Sequence, residues 1–117
     1  MFEKDMRLVL LLDCYGDLLS EHRRSIMEMY YCEDLSLSEI AENTGISRQA
    51  VRESIKKSEA ELHTLEDKLH LTEKFSAIRA YCTEAAQKLE AAASLASDDA
   101  CRDSLRQTAA FLRAVPL

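Results

Sequence analysis

Glycine and proline are nearly absent from this chain, with two of the first and one of the second in 117 residues. So few backbone breakers, beside abundant Ala, Leu, Glu, Lys and Arg, exclude a turn-rich β protein and predict an all-α fold. No stretch alternates apolar and polar residues long enough to form a strand. Long apolar runs are lacking too. The longest, Leu8 to Leu12, falls far short of the ~20 residues that span a bilayer, so no membrane is expected. The opening Met-Phe-Glu-Lys-Asp-Met-Arg has acids where a secretion signal needs a basic start and an apolar core. The expected location is therefore cytoplasmic.

Closely spaced cysteines are missing as well. Cys14, Cys32, Cys82 and Cys101 stand far apart, and His22, His63 and His70 are scattered on polar stretches. Neither a metal nor a cofactor is expected. All the cysteines except Cys32 fall on apolar helical positions and read as small buried thiols in a reducing compartment. The chain offers no nucleophile beside a base, no inward carboxylate pair and no glycine-rich phosphate loop, so it is not expected to be an enzyme. An excess of positive charge is lacking too. Fifteen Lys and Arg face 21 Asp and Glu, a net charge of −6, the wrong sign for a nucleic-acid binder.

What is present is concentrated in residues 36–57, Ser36-Leu-Ser-Glu-Ile-Ala-Glu-Asn-Thr-Gly45-Ile-Ser47-Arg-Gln-Ala-Val-Arg-Glu-Ser-Ile-Lys-Lys57. Ser36 with Glu39 is a capping box that starts a helix. Ile40 and Ala41 face inward, and Ala41 is small enough for a second helix to cross closely. Gly45 stands where the backbone needs a positive φ. Ile46 plugs the turn, Ser47 caps the next helix, and Val51 and Ile55, four apart, bury it. This is the build of a helix-turn-helix, whose second helix suits the DNA major groove.

The charge is uneven along the chain. Residues 1–70 hold nine Lys and Arg against fifteen Asp and Glu, and residues 71–117 hold six of each. Within 47–57, however, Arg48, Arg52, Lys56 and Lys57 face only Glu53. Arg48, Arg52 and Lys56 repeat every fourth residue and form a ridge of like charges, which costs a few tenths of a kcal/mol per pair and points to an anionic partner. Beyond Lys57 the same helix turns acidic. Only its first three turns can approach a polyanion, so the expected footprint is small and salt-sensitive.

About six helices are predicted. The first runs from about Glu3 to Leu18, apolar through Met6, Val9, Leu10, Leu12 and Tyr15 and weakened near its end by Gly16. The second starts on Ser20 and runs to about Cys32, burying Ile26, Met27, Tyr30 and Tyr31. Helices three and four are the pair above. The fourth continues to about Leu69 along the seam Val51, Ile55, Ser58, Leu62, Leu65, Leu69. A fifth opens at Thr72 with Glu73 and has the seam Phe75, Ile78, Cys82, Ala85, Leu89, Ala92, Ala96. A sixth begins at Ser97-Asp98-Asp99, places Cys101, Leu105, Thr108, Leu112 and Val115 on one face, and ends at Pro116. The expected organisation is a helix-turn-helix domain over 1–70 and a helical extension over 71–117 for packing or dimerisation.

The runs Leu18-Leu-Ser-Glu-His-Arg-Arg-Ser-Ile-Met-Glu-Met-Tyr-Tyr31, Leu35-Ser-Leu-Ser-Glu-Ile-Ala41 and Gly45-Ile-Ser-Arg-Gln-Ala-Val51 resemble the YlxM-like helix-turn-helix family. That family is similar in turn to region 4 of bacterial sigma factors. The likeness extends from about Leu8 through Glu73-Lys74-Phe75, and the tail from about Ser76 carries no family signature. The chain departs from the family's pattern at Arg52, where an aromatic is usual, and at Ser54, where an asparagine is usual. The resemblance implies a bacterial cytosolic protein, a sigma-region-4-like bundle, and a link to the signal-recognition-particle pathway, whose genes tend to neighbour those of the family.

Two roles remain open on the sequence. In the first, the protein is a DNA-binding regulator. Ser47 meets phosphate, Arg48, Gln49 and Arg52 reach base edges, and Lys56, Arg23 and Arg24 hold the backbone. In the second, it is an accessory factor of the signal-recognition-particle pathway that binds RNA or protein and does not read DNA. In both roles the apolar seam of helix four and the alanine-rich tail point to a homodimer formed largely by residues 58–112.

Overall fold

The computed structural model describes residues 4–116. Its regular structure is α1 (Arg7–Tyr15), a 3₁₀ turn (Gly16–Leu18), α2 (Glu21–Tyr31), α3 (Leu37–Thr44), α4 (Arg48–Leu69), α5 (Leu71–Leu95) and α6 (Asp99–Arg113). The described residues contain no strand, so the fold is all-α as composition requires. None of these helices is long and apolar enough to cross a membrane. The chain divides into two compact units, the first ending at Thr72 and the second beginning at Glu73.

The first unit is built around α4, which packs against α1, α2 and α3. Its Val51, Ile55, Ser58 and Leu62 are buried, and they meet Leu8, Leu11, Leu12 and Tyr15 from α1, Ile26, Met27 and Tyr30 from α2, and Ile40 from α3. The helix is unbroken for 22 residues because the apolar spacing never loses phase. The seam fades at its far end, where Leu65 is half-buried and Leu69 is exposed. Helix α2 begins where expected, with the Ser20 hydroxyl accepting from the Arg23 N–H at 3.3 Å. The chain leaves it through Asp34 at φ 57°, a left-handed position that Asp tolerates better than most residues. There Lys4 Nζ donates to the Tyr30 carbonyl and to the Asp34 carboxylate, each at 2.6 Å.

Helix α1 corrects the sequence reading. Its expected start at Glu3 lies outside the described residues, and the α-helical ladder ends at Tyr15 because the chain tightens into a 3₁₀ turn at Gly16. Met6 and Leu10, read as part of its apolar stripe, are 66% and 62% exposed, while Leu8, Leu11, Leu12 and Tyr15 go inside. Residues 8–12 are apolar without interruption, so periodicity cannot choose a face; contact with α2 and α4 does.

Helix α4 ends at His70, which caps it in the left-handed region at φ 54°. Tyr15, 1% exposed, donates its hydroxyl to Glu66 Oε1 at 2.6 Å and accepts from the Leu71 N–H at 3.0 Å. The Glu66 carboxylate also accepts from the Thr72 N–H at 3.1 Å and from the Thr72 hydroxyl. It thus serves the start of α5 as a cap supplied from the preceding helix. Burial, and then the Glu66 carboxylate, push the Tyr15 phenol up to about 12. Burial works to raise Glu66 as well, but the hydrogen bonds from Thr72 and Tyr15 outweigh it and hold this carboxyl below its ordinary value.

In the second unit α5 and α6 fold back on one another, with Arg113 paired to Glu90 at 3.2 Å. Ala86, Ala93 and Ala109 are its fully buried residues. Leu89, Leu105, Leu112 and Val115 are half-buried as expected, but Phe75, Ile78, Ala92, Cys101 and Thr108 are exposed. Alanine occupies so many positions that several helical faces could serve, and the smallest side chains take the inside. The cap of α6 is Asp98, which accepts from the Ala100 N–H at 3.2 Å, rather than Ser97. The four cysteines are free thiols. Cys14 and Cys82 are half-buried, and Cys101 is exposed along with Cys32.

Two outcomes follow from these contacts. Ser58 is fully buried, and among the described residues its hydroxyl has no hydrogen-bond partner. Ser58→Ala is expected to stabilise the protein by about 1 kcal/mol, the cost of a buried unpaired hydroxyl; a lower melting temperature would contradict this. For Glu66 the folded-state pKa is depressed, so its contribution is present above the unfolded value and is lost as pH falls through the folded one. The melting-temperature gap between the wild type and Glu66→Gln should therefore be largest near neutrality and close below about pH 4. A gap independent of pH would show that the carboxylate charge is irrelevant at this joint.

Candidate nucleic-acid interface

The turn between α3 and α4 forms as its residue types dictate. The Ser36 hydroxyl accepts from the Glu39 N–H at 3.1 Å, and Glu39 Oε1 accepts from the Ser36 N–H at 3.1 Å, so the capping box is complete. Ile40 is fully buried. Gly45 adopts φ 74°, and its N–H reaches the Ala41 carbonyl at 2.9 Å. Ile46 is half-buried in the turn. The Ser47 hydroxyl then accepts from the Ala50 N–H at 3.0 Å and starts α4.

Because Val51 and Ile55 bury one side of α4, the opposite side faces out. Arg48, Gln49, Arg52, Glu53 and Lys56 are all exposed on its first turns. Arg48 and Arg52 form one wall of an open cleft of about 640 Å³. Its other wall is the start of α3, from Leu35 to Glu39, and Lys4, Tyr30 and Asp34 close its end. The Lys4 ammonium sits 4.3 Å from the centre of the Tyr30 ring. Its hydrogen bond to Asp34 and its charge hold that carboxyl below the usual range. Lys4 is therefore compensated from within. Among the described residues Arg48 and Arg52 make no ion pair, and they outnumber Glu39, the carboxylate of the lining that has no cation partner, so the cleft is left net positive.

The two arginines of α2 are placed differently. Arg23 donates to Glu61 of α4 at 2.8 Å, and Arg24 is held by Asp17 at 2.8 Å and Glu28 at 3.0 Å. Both are spent on carboxylates of the protein itself, away from the cleft lining. The structure thus brings Ser47, Arg48, Gln49, Arg52 and Lys56 together on one helical end and leaves Arg23 and Arg24 apart. Lys4, Tyr30 and Ser38 enter the site without having been anticipated. Lys4 meets Tyr30 from 26 residues away, and no local pattern announces such a contact.

Residues 2–103 match the family model of helix-turn-helix proteins described as YlxM / p13 like, UPF0122. Similar curated proteins are bacterial. The UPF0122 protein of Bacillus thuringiensis (strain Al Hakam) is 52% identical over 75 residues, 64% of this chain and 68% of that protein. The one from Oceanobacillus iheyensis is 51% identical over 75 residues, 64% of this chain and 71% of the relative. The one from Clostridium kluyveri is 52% identical over 71 residues, 61% and 64% of the two chains.

The turn yields a direct test. A Cβ added at Gly45 would meet nothing within 4 Å, so only the backbone resists substitution. Gly45→Ala should cost about 1 kcal/mol, and Gly45→Asn should cost less because Asn tolerates the left-handed region. Equal melting temperatures for glycine, alanine and asparagine would remove the positive-φ argument.

Proposed function

We propose, given that the chain belongs to the helix-turn-helix family of YlxM / p13 like proteins, that it binds duplex DNA and regulates transcription through the N-terminal turns of α4. The observation that carries this reading is the free pair Arg48 and Arg52. They are one turn apart on an exposed helical end, while the arginines of α2 are committed to internal carboxylates. In this reading Ser47 and the open amides of the α4 start meet phosphate. Arg48, Gln49 and Arg52 reach base edges, with arginine suited to guanine and glutamine to adenine. Lys56 rests on the backbone. Arg23 and Arg24 join it only by exchanging Glu61, Asp17 and Glu28 for phosphate.

Three or four phosphates per subunit make a weak footprint, and a homodimer formed through residues 58–112 would double it. The salt dependence of binding should then have a log–log slope near about −3 for a monomer and about twice that for a dimer. A second reading rests on the net charge of −6. In it the protein is a cytoplasmic accessory factor of the signal-recognition-particle pathway, and the same basic end meets a structured RNA or a protein.

The test is a titration of the full chain against duplex DNA and against a structured RNA at two salt concentrations. Replacing Arg48 or Arg52 by Ala should weaken duplex binding by roughly 1–3 kcal/mol and relax sequence preference, whereas Lys56→Ala should weaken all duplexes alike. Negligible duplex affinity at low salt, with RNA binding lost in the same variants, would favour the second reading. Undiminished binding by the double Arg48, Arg52 alanine variant would sink both.

A further inference from the structure

The outer side of the α1–α2 pair carries a second groove, of about 340 Å³, that shares no lining residue with the basic cleft. Its apolar strip is Val9, Leu10 and Cys32, and its acidic rim is Asp13, Asp17 and Glu28. Leu10 is 62% exposed, which costs the isolated protein solubility without adding to its core. Met6, one turn earlier on the same side of α1, is 66% exposed and extends the strip. Among the described residues the single cation lining the groove is Arg24, already claimed by Asp17 and Glu28. Asp13 is exposed and, among the described residues, makes no ion pair.

We infer that this groove is a docking site for a basic amphipathic helix of a protein partner. The charge of the lining decides the class. A nucleic acid would bring phosphates against three carboxylates that share one arginine, and a purely apolar partner would strand Asp13 unpaired as it lost water. A helix with aliphatic residues on one face and Lys or Arg beside them fits both halves of the lining. Arg24, Glu28 and Cys32 mark out two turns of α2, so the groove extends about 12 Å and holds two to three turns of a partner helix. Aliphatic side chains would cover Leu10 and Val9, and the basic ones would reach Asp13 and the rim of Glu28 and Asp17. Because the two sites have separate linings, a partner held here leaves Arg48 and Arg52 free.

The test uses the full chain and a fluorescent peptide of about fourteen residues, built from Leu and Lys to form an amphipathic helix, with Glu replacing every Lys in a control. The Lys peptide should bind and the Glu peptide should not. Leu10→Ser and Asp13→Lys, both at exposed positions, should keep the wild-type melting temperature and each weaken the Lys peptide by about tenfold or more. Asp13→Lys should in addition gain affinity for the Glu peptide, a reversal that general charge attraction by an acidic protein would not localise to one residue. Lys-peptide binding that is absent, or that persists unchanged in both variants, overturns the proposal. So does a result in which the variants alter only sedimentation of the protein alone, which would assign the strip to a second copy of the chain. Duplex titration of the same variants should match the wild type, so the proposal stands or falls apart from the DNA reading.

Discussion

The burial of one face of α4 is the constraint on which the rest of the first unit depends. Val51, Ile55, Ser58 and Leu62 are essentially inaccessible, and three other helices take their positions from that strip. A helix advances a fixed angle per residue, so fixing this face fixes the opposite one as well. Arg48, Gln49, Arg52 and Lys56 point outward because Val51, Ile55, Ser58 and Leu62 commit the opposite face of the helix to the core. No loop has to hold them, which makes the basic end a rigid presentation surface.

Charge is managed by pairing more than by composition. A chain with six more acids than bases would seem to repel a polyanion everywhere. The structure instead uses carboxylates to neutralise particular cations: Glu61 on Arg23, Asp17 and Glu28 on Arg24, Asp34 on Lys4. What remains open is positive at the start of α4 and negative along the α1–α2 groove. The molecule is thus electrostatically two-sided on a scale that net charge conceals.

Much of this was legible from residue order alone, wherever the signal was local. Ser20, Ser36 with Glu39, Gly45 and Ser47 act within three or four residues of themselves, and each occupies the place its chemistry dictates. The α4 seam was legible for a related reason, since one apolar stripe among charged residues has one solution. Reading failed where that contrast was missing. Five apolar residues in succession could not say which side of α1 goes inside, and a run of alanines could not choose among the faces of α5. The cleft was half visible: Arg48 and Arg52 belong to the pattern of α4, but Lys4 and Ser38 arrive through tertiary packing. The pairing of Arg23 and Arg24 had to be seen, because a cation's partner on another helix leaves no trace in local spacing.

The joint at residues 66–72 bears on how such a chain could be shortened or exchanged. Tyr15, near the beginning, satisfies Glu66 and receives the Leu71 amide, while Thr72 completes the carboxylate's partners. A fragment ending at His70 would keep the fully buried core of the first unit yet lose Leu71, which packs against it, and leave a buried phenol and a carboxylate short of donors. The natural cut therefore falls two residues into α5, and Leu71 and Thr72 belong to the unit before it. Grafts of a different tail onto this head would have to preserve a hydrogen-bonding residue at position 72.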